Sequence, residues 1–269
     1  MQQRGIADLL AWGATALAAV ATAAGLFAGG LYRDVPFWAQ QARGIDLATL
    51  VLAVPILVCG LWSARRGSGT ARLMVVGGLL YLVYNYLIYT TSVAMNRLAL
   101  VYIAILGLSV WSLVLGLSAW DLPKAAGPIV DRLPRRASAG LLLVVAALFG
   151  LLWLSQIAAF TTTGNLPADL TKAGLPANPV YALDLGILLP LAVVAAVGLL
   201  RRHRVSAAFA VPMFIWIFLT SAGIVGGFVF EASTGQEVSV AVAALVGGVG
   251  IIAASFAALP MLRARLRTA

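Results

Sequence analysis

Apolar residues run along this chain in long stretches, broken at short intervals by glycine, proline and arginine. A helix rising 1.5 Å per residue needs about 20 apolar residues to cross a bilayer. Eight stretches reach that length: Ala7 to Leu31, Asp46 to Ala64, Ala71 to Ser92, Leu98 to Trp120, Ala139 to Phe160, Tyr181 to Leu200, Ala207 to Phe230, and Val238 to Leu262. The joins carry turn residues or charge, as in Arg65-Arg66-Gly67-Ser68-Gly69 and Arg201-Arg202-His203-Arg204, and none is long enough to form a separate soluble domain. The predicted fold is therefore all-α, a polytopic membrane bundle of eight transmembrane helices.

Composition agrees. The 269 residues are 62% hydrophobic and 10% charged, against about 45–50% and 25% in soluble domains. That excludes soluble enzymes and disordered proteins. A net charge of +9 would point to nucleic acid in a soluble protein, but in a membrane protein it records orientation. With the N-terminus inside, fourteen of the 18 basic residues fall on the inner side: Arg4, Arg65, Arg66, Arg72, Lys124, Arg132, Arg135, Arg136, Arg201, Arg202, Arg204, Arg263, Arg265 and Arg267. Arg33, Arg43, Arg97 and Lys172 fall outside. This bias predicts both termini inside, in a prokaryotic plasma or inner membrane. Arg4 followed by an apolar stretch and Ala21-Thr22-Ala23 resembles a signal peptide. The run continues to Leu31 and Asp8 interrupts its start, so an uncleaved first span is expected.

Eight spans suggest a duplication into residues 1–125 and 126–269, two four-helix halves of one membrane domain. Ile45-Asp46-Leu47 and Leu183-Asp184-Leu185 open the second and sixth spans. Both spans contain a proline (Pro55, Pro190) and end in arginines. Four spans per half implies a parallel 4+4 internal repeat.

The polar residues inside the spans carry the functional information, because buried charge costs about 2.5–3.5 kcal/mol at a helix centre on insertion scales. Asp46 and Asp184 lead. Asn178-Pro179 reads as an N-cap and first helical residue, which puts Asp184 past the first turn. Two readings compete for both aspartates: first-turn carboxylates compensating a helix N-terminus, or functional intramembrane acids. In the third span Tyr81, Asn85, Tyr89, Ser92 and Asn96 recur at helical spacing as a polar stripe that should face protein. Gln156, Ser155, Thr220 and Ser221 lie in the same half of the membrane, near Glu231 and Glu237. This distribution predicts a vestibule open to the outside, lined by Asp46, Asn85, Gln156 and Asp184. The outer side holds four basic and six acidic residues, a balance that favours cations or neutral polar solutes over anions. Gly223 and Gly227 form a GxxxG, and Gly247-Gly248-Val249-Gly250 follows; such faces pack helices closely, within a chain or between protomers.

Other chemistry is excluded. His203, the single histidine, lies in an arginine-rich loop, so histidine-ligated haem, a zinc protease helix and a Ser-His-Asp triad are ruled out. Cys59 is the single cysteine. Lys124 and Lys172 lie in loops, and no phosphate-binding loop is present. No catalytic residue, metal site or cofactor is expected. An Asp–Asp hydrolase would need Asp46 and Asp184 together, and no flanking motif supports one. The expected function is binding of a small solute or cation in an outward-facing polar cavity, in a transporter without its own ATP site. Asp46 and Asp184 would bind the cation or exchange protons, and Tyr81, Asn85, Tyr89 and Gln156 would supply neutral hydrogen bonds. The alternative is a non-catalytic scaffold or ligand-binding subunit, whose polar stripe and glycine faces pair with another membrane chain or a second copy. The lipid bilayer is a partner on either reading; nucleic acid is not.

Overall fold

The computed structural model describes residues 2–265. Arg267 and the side chains of Arg263 and Arg265, counted above with the inner basic residues, lie outside that description. Among the described residues there is no strand, and eight helices are long and apolar enough to span a membrane: Gln2–Phe27, Pro36–Arg65, Ala71–Ser92, Ala99–Ala119, Arg135–Thr163, Pro179–Arg201, Arg204–Ser233 and Val240–Pro260. They are called the first to eighth spans.

The second span starts ten residues earlier than the hydrophobic pattern predicts. Pro36 supplies the preset φ favoured at a helix start, and Gly44 does not break the helix. The sixth begins at Pro179, with the Asn178 side chain accepting from Val180 N at 3.0 Å, as the Asn-Pro pair predicts. The same two spans are the ones that widen into a π turn, at Thr49–Ala53 and at Asp184–Leu188. Each precedes a proline, Pro55 and Pro190. A proline removes one N–H and its ring collides with the carbonyl four residues back. Those carbonyls belong to Val51 and Gly186, inside the two π turns, where a wider turn relieves the collision. Counted back from the prolines, Asp184 stands where Thr49 does, and Asp46 stands three residues earlier.

The first four spans close on one another. The first packs along the fourth and the second, and the third lies between the second and fourth. The seventh docks against the second and third and carries the eighth on its other side. Third and seventh are the most buried, 72% and 67% over their apolar windows, whereas the fifth and eighth, at 28% and 22%, form the rim. The fifth and sixth make a hairpin that meets the third through the opening turn of the sixth.

One crossing depends on glycine. Gly44 of the second span lies against the backbone of Gly226 and Gly227 in the seventh, leaving no room for a Cβ at Gly44. The GxxxG of the seventh span thus has its partner inside the chain, with Gly223 against Ile45 and Gly227 against Gln41.

At the arginine-rich end, Arg72 and Asp8 form a buried two-armed ion pair between the third and first spans, with Arg72 set over the Trp120 ring. Ser112 Oγ donates to Ala7 O at 2.8 Å beside it. Beneath the bundle a short helix, Leu122–Val130, is capped by Asp121. A cavity of about 490 Å³ there is lined by Asp121, Lys124, Asp131 and Arg204.

Candidate functional site

Asp46 sits ten residues inside its helix, about 15 Å along the axis, in the half away from the arginine-rich end. It is 1% exposed. The first-turn reading therefore fails for Asp46, because the helix begins at Pro36. Tyr32, from the loop between the first two spans, donates its hydroxyl to Asp46 Oδ2. Burial, followed by the Asp46 charge, raises the Tyr32 phenol above its ordinary value, so it stays a donor. Tyr89 Oη lies 3.0 Å from Asp46 Oδ1 and 2.8 Å from Ala42 O, with one proton to give to the two. Gly25 of the first span leaves the space that the carboxylate and the Tyr32 hydroxyl occupy.

Around this pair the phenols gather. Tyr89 meets Tyr102 edge-on at 5.2 Å, Tyr86 at 5.5 Å and Tyr32 at 6.4 Å between ring centres. One turn deeper Tyr81 shares a 2.9 Å hydrogen bond with Thr49, and Asn85 donates to Tyr81 O at 3.0 Å. The polar stripe of the third span is thus satisfied within the chain.

Asp184 occupies a different neighbourhood. It is 4% exposed, and Trp153 Nε1 of the fifth span donates to its Oδ2 at 2.8 Å. Its Oδ1 is buried without a partner. The Tyr84 hydroxyl of the third span faces the same carboxylate. Trp153 packs between Phe149, at 6.0 Å, and Tyr181, at 5.3 Å. The Tyr181 hydroxyl donates to Gln156 Oε1. Gln156 therefore belongs with Asp184 and is not near Asp46.

Two sequence expectations need correction. Asp46, Asp184, Tyr81, Asn85 and Tyr89 are buried, so they line no open vestibule in this conformation; aromatic rings close over both carboxylates. Neither aspartate is in an ion pair: those among the described residues are Arg72–Asp8, Arg135–Asp131 and Lys172–Glu231. The six candidate residues also do not share one site. Tyr89 and Tyr84 project from different faces of the third span, one toward each aspartate, and the second and sixth spans make no extensive contact.

Sequence reasoning missed Tyr32, Tyr84, Trp153, Tyr181 and Gly25. The signal available was the polar tip of a buried aromatic: a Trp N–H or Tyr O–H inside a bilayer must find an acceptor, and intramembrane acceptors are few here. All seven tyrosines fall around one aspartate or the other. A third buried acid, Glu231, accepts from Gln41 Nε2 and lies 3.8 Å from Lys172 Nζ, and Lys172 sits over the Phe37 ring at 4.2 Å. Unlike the two aspartates, it has its counter-ion. Among the described residues no cluster of His, Cys, Asp and Glu could hold a metal ion. Comparison with protein-family models, curated proteins and solved structures gave no match.

Proposed function

We propose that this chain is a multi-pass protein of a prokaryotic plasma membrane that binds a small solute or cation at its buried aspartates and transports it without an ATP site of its own. One observation carries the reading: Asp46 and Asp184 are buried within membrane-spanning helices with no basic residue among the described ones in ion-pair contact. A bundle selected for stability alone gains nothing from such groups, since unpaired acids in this setting are costly and are characteristic of ion and proton paths. The conformation described is closed over both carboxylates, and the arginine-rich end is taken as cytoplasmic on the charge bias. The two halves, residues 1–125 and 126–269, are taken as a parallel repeat on the matched proline-π elements of the second and sixth spans. The scaffold reading is less well supported, because the polar stripe and the Gly223–Gly227 face that it would offer to another chain are occupied within this one.

The test is proton movement into liposomes holding a pH dye, under imposed sodium or potassium gradients and a set membrane potential. Wild-type protein should move protons or respond to one of these cations, and Asp46→Asn and Asp184→Asn should each reduce the rate at least tenfold. Equal rates in wild type and both variants would sink the proposal.

A further inference from the structure

The two aspartates differ in what they still have to offer. A carboxylate provides about four lone-pair positions on two oxygens. At Asp46 both oxygens face phenol donors, and Gly25 and Tyr32 close the remaining side. At Asp184 one oxygen holds Trp153 Nε1, while the other is buried and closes no hydrogen bond, with the Tyr84 hydroxyl facing the carboxylate. A buried acceptor left open costs more than the same group satisfied. The open capacity for a ligand is therefore at Asp184.

The walls decide which ligand. Trp153, Phe149, Tyr181 and Tyr84 present ring carbons and few oxygens. Hard inorganic cations need several oxygen ligands, and few surround this carboxylate. A protonated amine needs one strong acceptor for its N–H and is attracted to aromatic walls. An apolar substituent would lie among the same rings.

Access comes from thin packing. The fifth span from Leu151 to Thr163 is exposed on nearly every side, with Trp153 and Gln156 half-buried where they meet the sixth. The hairpin of the fifth and sixth spans touches the third only near the start of the sixth, one turn from Asp184. The π turn begins at Asp184 itself, a local geometry frequent at functional sites. The hairpin is also held to the seventh span, mainly through Arg204–Ala207 at the arginine-rich end, away from Asp184 and from the crossing at Gly44 and Gly227.

We infer that Asp184 anchors a protonated amine with at least one N–H and an apolar substituent, seated in the seam between this hairpin and the third span. The inference rests on the reading of the chain as a solute- or cation-binding membrane protein, and it names the ligand class and the carboxylate.

The experiment is a titration of the full-length protein in lipid nanodiscs, read by intrinsic tryptophan fluorescence, with n-butylammonium, tetramethylammonium, sodium and potassium at constant ionic strength. Saturable binding is expected with n-butylammonium, at least tenfold weaker with tetramethylammonium, which has no N–H, and absent with sodium and potassium. Asp184→Asn should abolish it, and Glu237→Gln, at an exposed carboxylate outside both aspartate sites, should retain it. If Asp184→Asn does not fold, labelling of Asp184 in the wild-type protein by dicyclohexylcarbodiimide, read by peptide mass spectrometry, decides: protection by n-butylammonium supports the site, and unchanged labelling overturns it. Absence of saturable n-butylammonium binding, equal affinity for tetramethylammonium, or binding that survives in Asp184→Asn also overturns it. Sodium or potassium binding that requires Asp184, without amine binding, overturns this inference and leaves the broader cation reading standing. No binding of any probe, together with no flux in liposomes, removes both.

Discussion

Gly25 and Asp46 meet across the interface of the first and second spans so closely that no methyl group fits between them. The carboxylate occupies the space where a Gly25 side chain would stand, and Tyr32 reaches over the same gap to donate to it. Gly25→Ala must therefore push Asp46 out of its position or separate the two helices. Overpacking of a tight interior costs about 1–3 kcal/mol. The thermal melting temperature in detergent should fall clearly, while Gly5→Ala, which meets nothing within 4 Å, should leave it unchanged.

The crossing of the second and seventh spans is less forgiving, because there backbone meets backbone. A Cβ on Gly44 would strike Gly226 and Gly227 main-chain atoms, which have no rotamer to adopt. Gly44→Ala should lower the yield of folded, monodisperse protein on size-exclusion chromatography, with Gly248→Ala as the neutral control. Normal yield and melting in Gly44→Ala would contradict this packing.

In the Asp8–Arg72 pair the guanidinium is buried and the carboxylate largely so, at 14% exposure. Removing one partner of such a pair leaves an uncompensated charge and costs about 3–5 kcal/mol, whereas replacing both by apolar residues is often close to neutral. Asp8→Leu and Arg72→Leu should each destabilise strongly, and the double variant should recover most of the loss. A double-mutant cycle on melting in detergent measures the coupling. Additive losses would show that the pair contributes nothing as a pair.

Asp34, in the loop between the first two spans, accepts from Ala94 N at 2.8 Å with Oδ1, while Oδ2 is buried without a partner. Burial raises its carboxyl above 3.8. The folded state then holds a proton that the unfolded state has released, so stability falls as pH rises from about 4 to the raised value and is flat above it. Asp34→Asn keeps an acceptor for Ala94 and removes the titration. Relative to this variant, the wild type should lose melting temperature across that window; parallel profiles would refute it.

The architecture was legible in the sequence. Spanning a bilayer needs length and apolarity, both local properties, so eight helices could be counted without a structure. The cap at Asn178-Pro179 was equally local. The start of the second span was not, because Gln40, Gln41 and Arg43 dilute its apolar pattern. That helix is held in place instead by Gly44 against Gly226 and Gly227, and by Trp38 Nε1 donating to Ser92 O at 2.9 Å.

The depth of Asp46, Asp184, Tyr81 and Asn85 was also visible in the sequence, since depth follows from position along a helix. Their grouping was a matter of tertiary structure. Periodicity places Tyr84 and Tyr89 on different faces of one helix, but it does not say which neighbour each face meets. Only the packing of the second span on one side and the fifth–sixth hairpin on the other separated one expected polar cavity into two aspartate sites. It also decided that both oxygens of Asp46 face phenols, whereas one oxygen of Asp184 closes no hydrogen bond. Hydrophobic length is summed along the chain, whereas hydrogen-bond satisfaction depends on side chains far apart in sequence, such as Trp153 and Asp184, brought together by the fold.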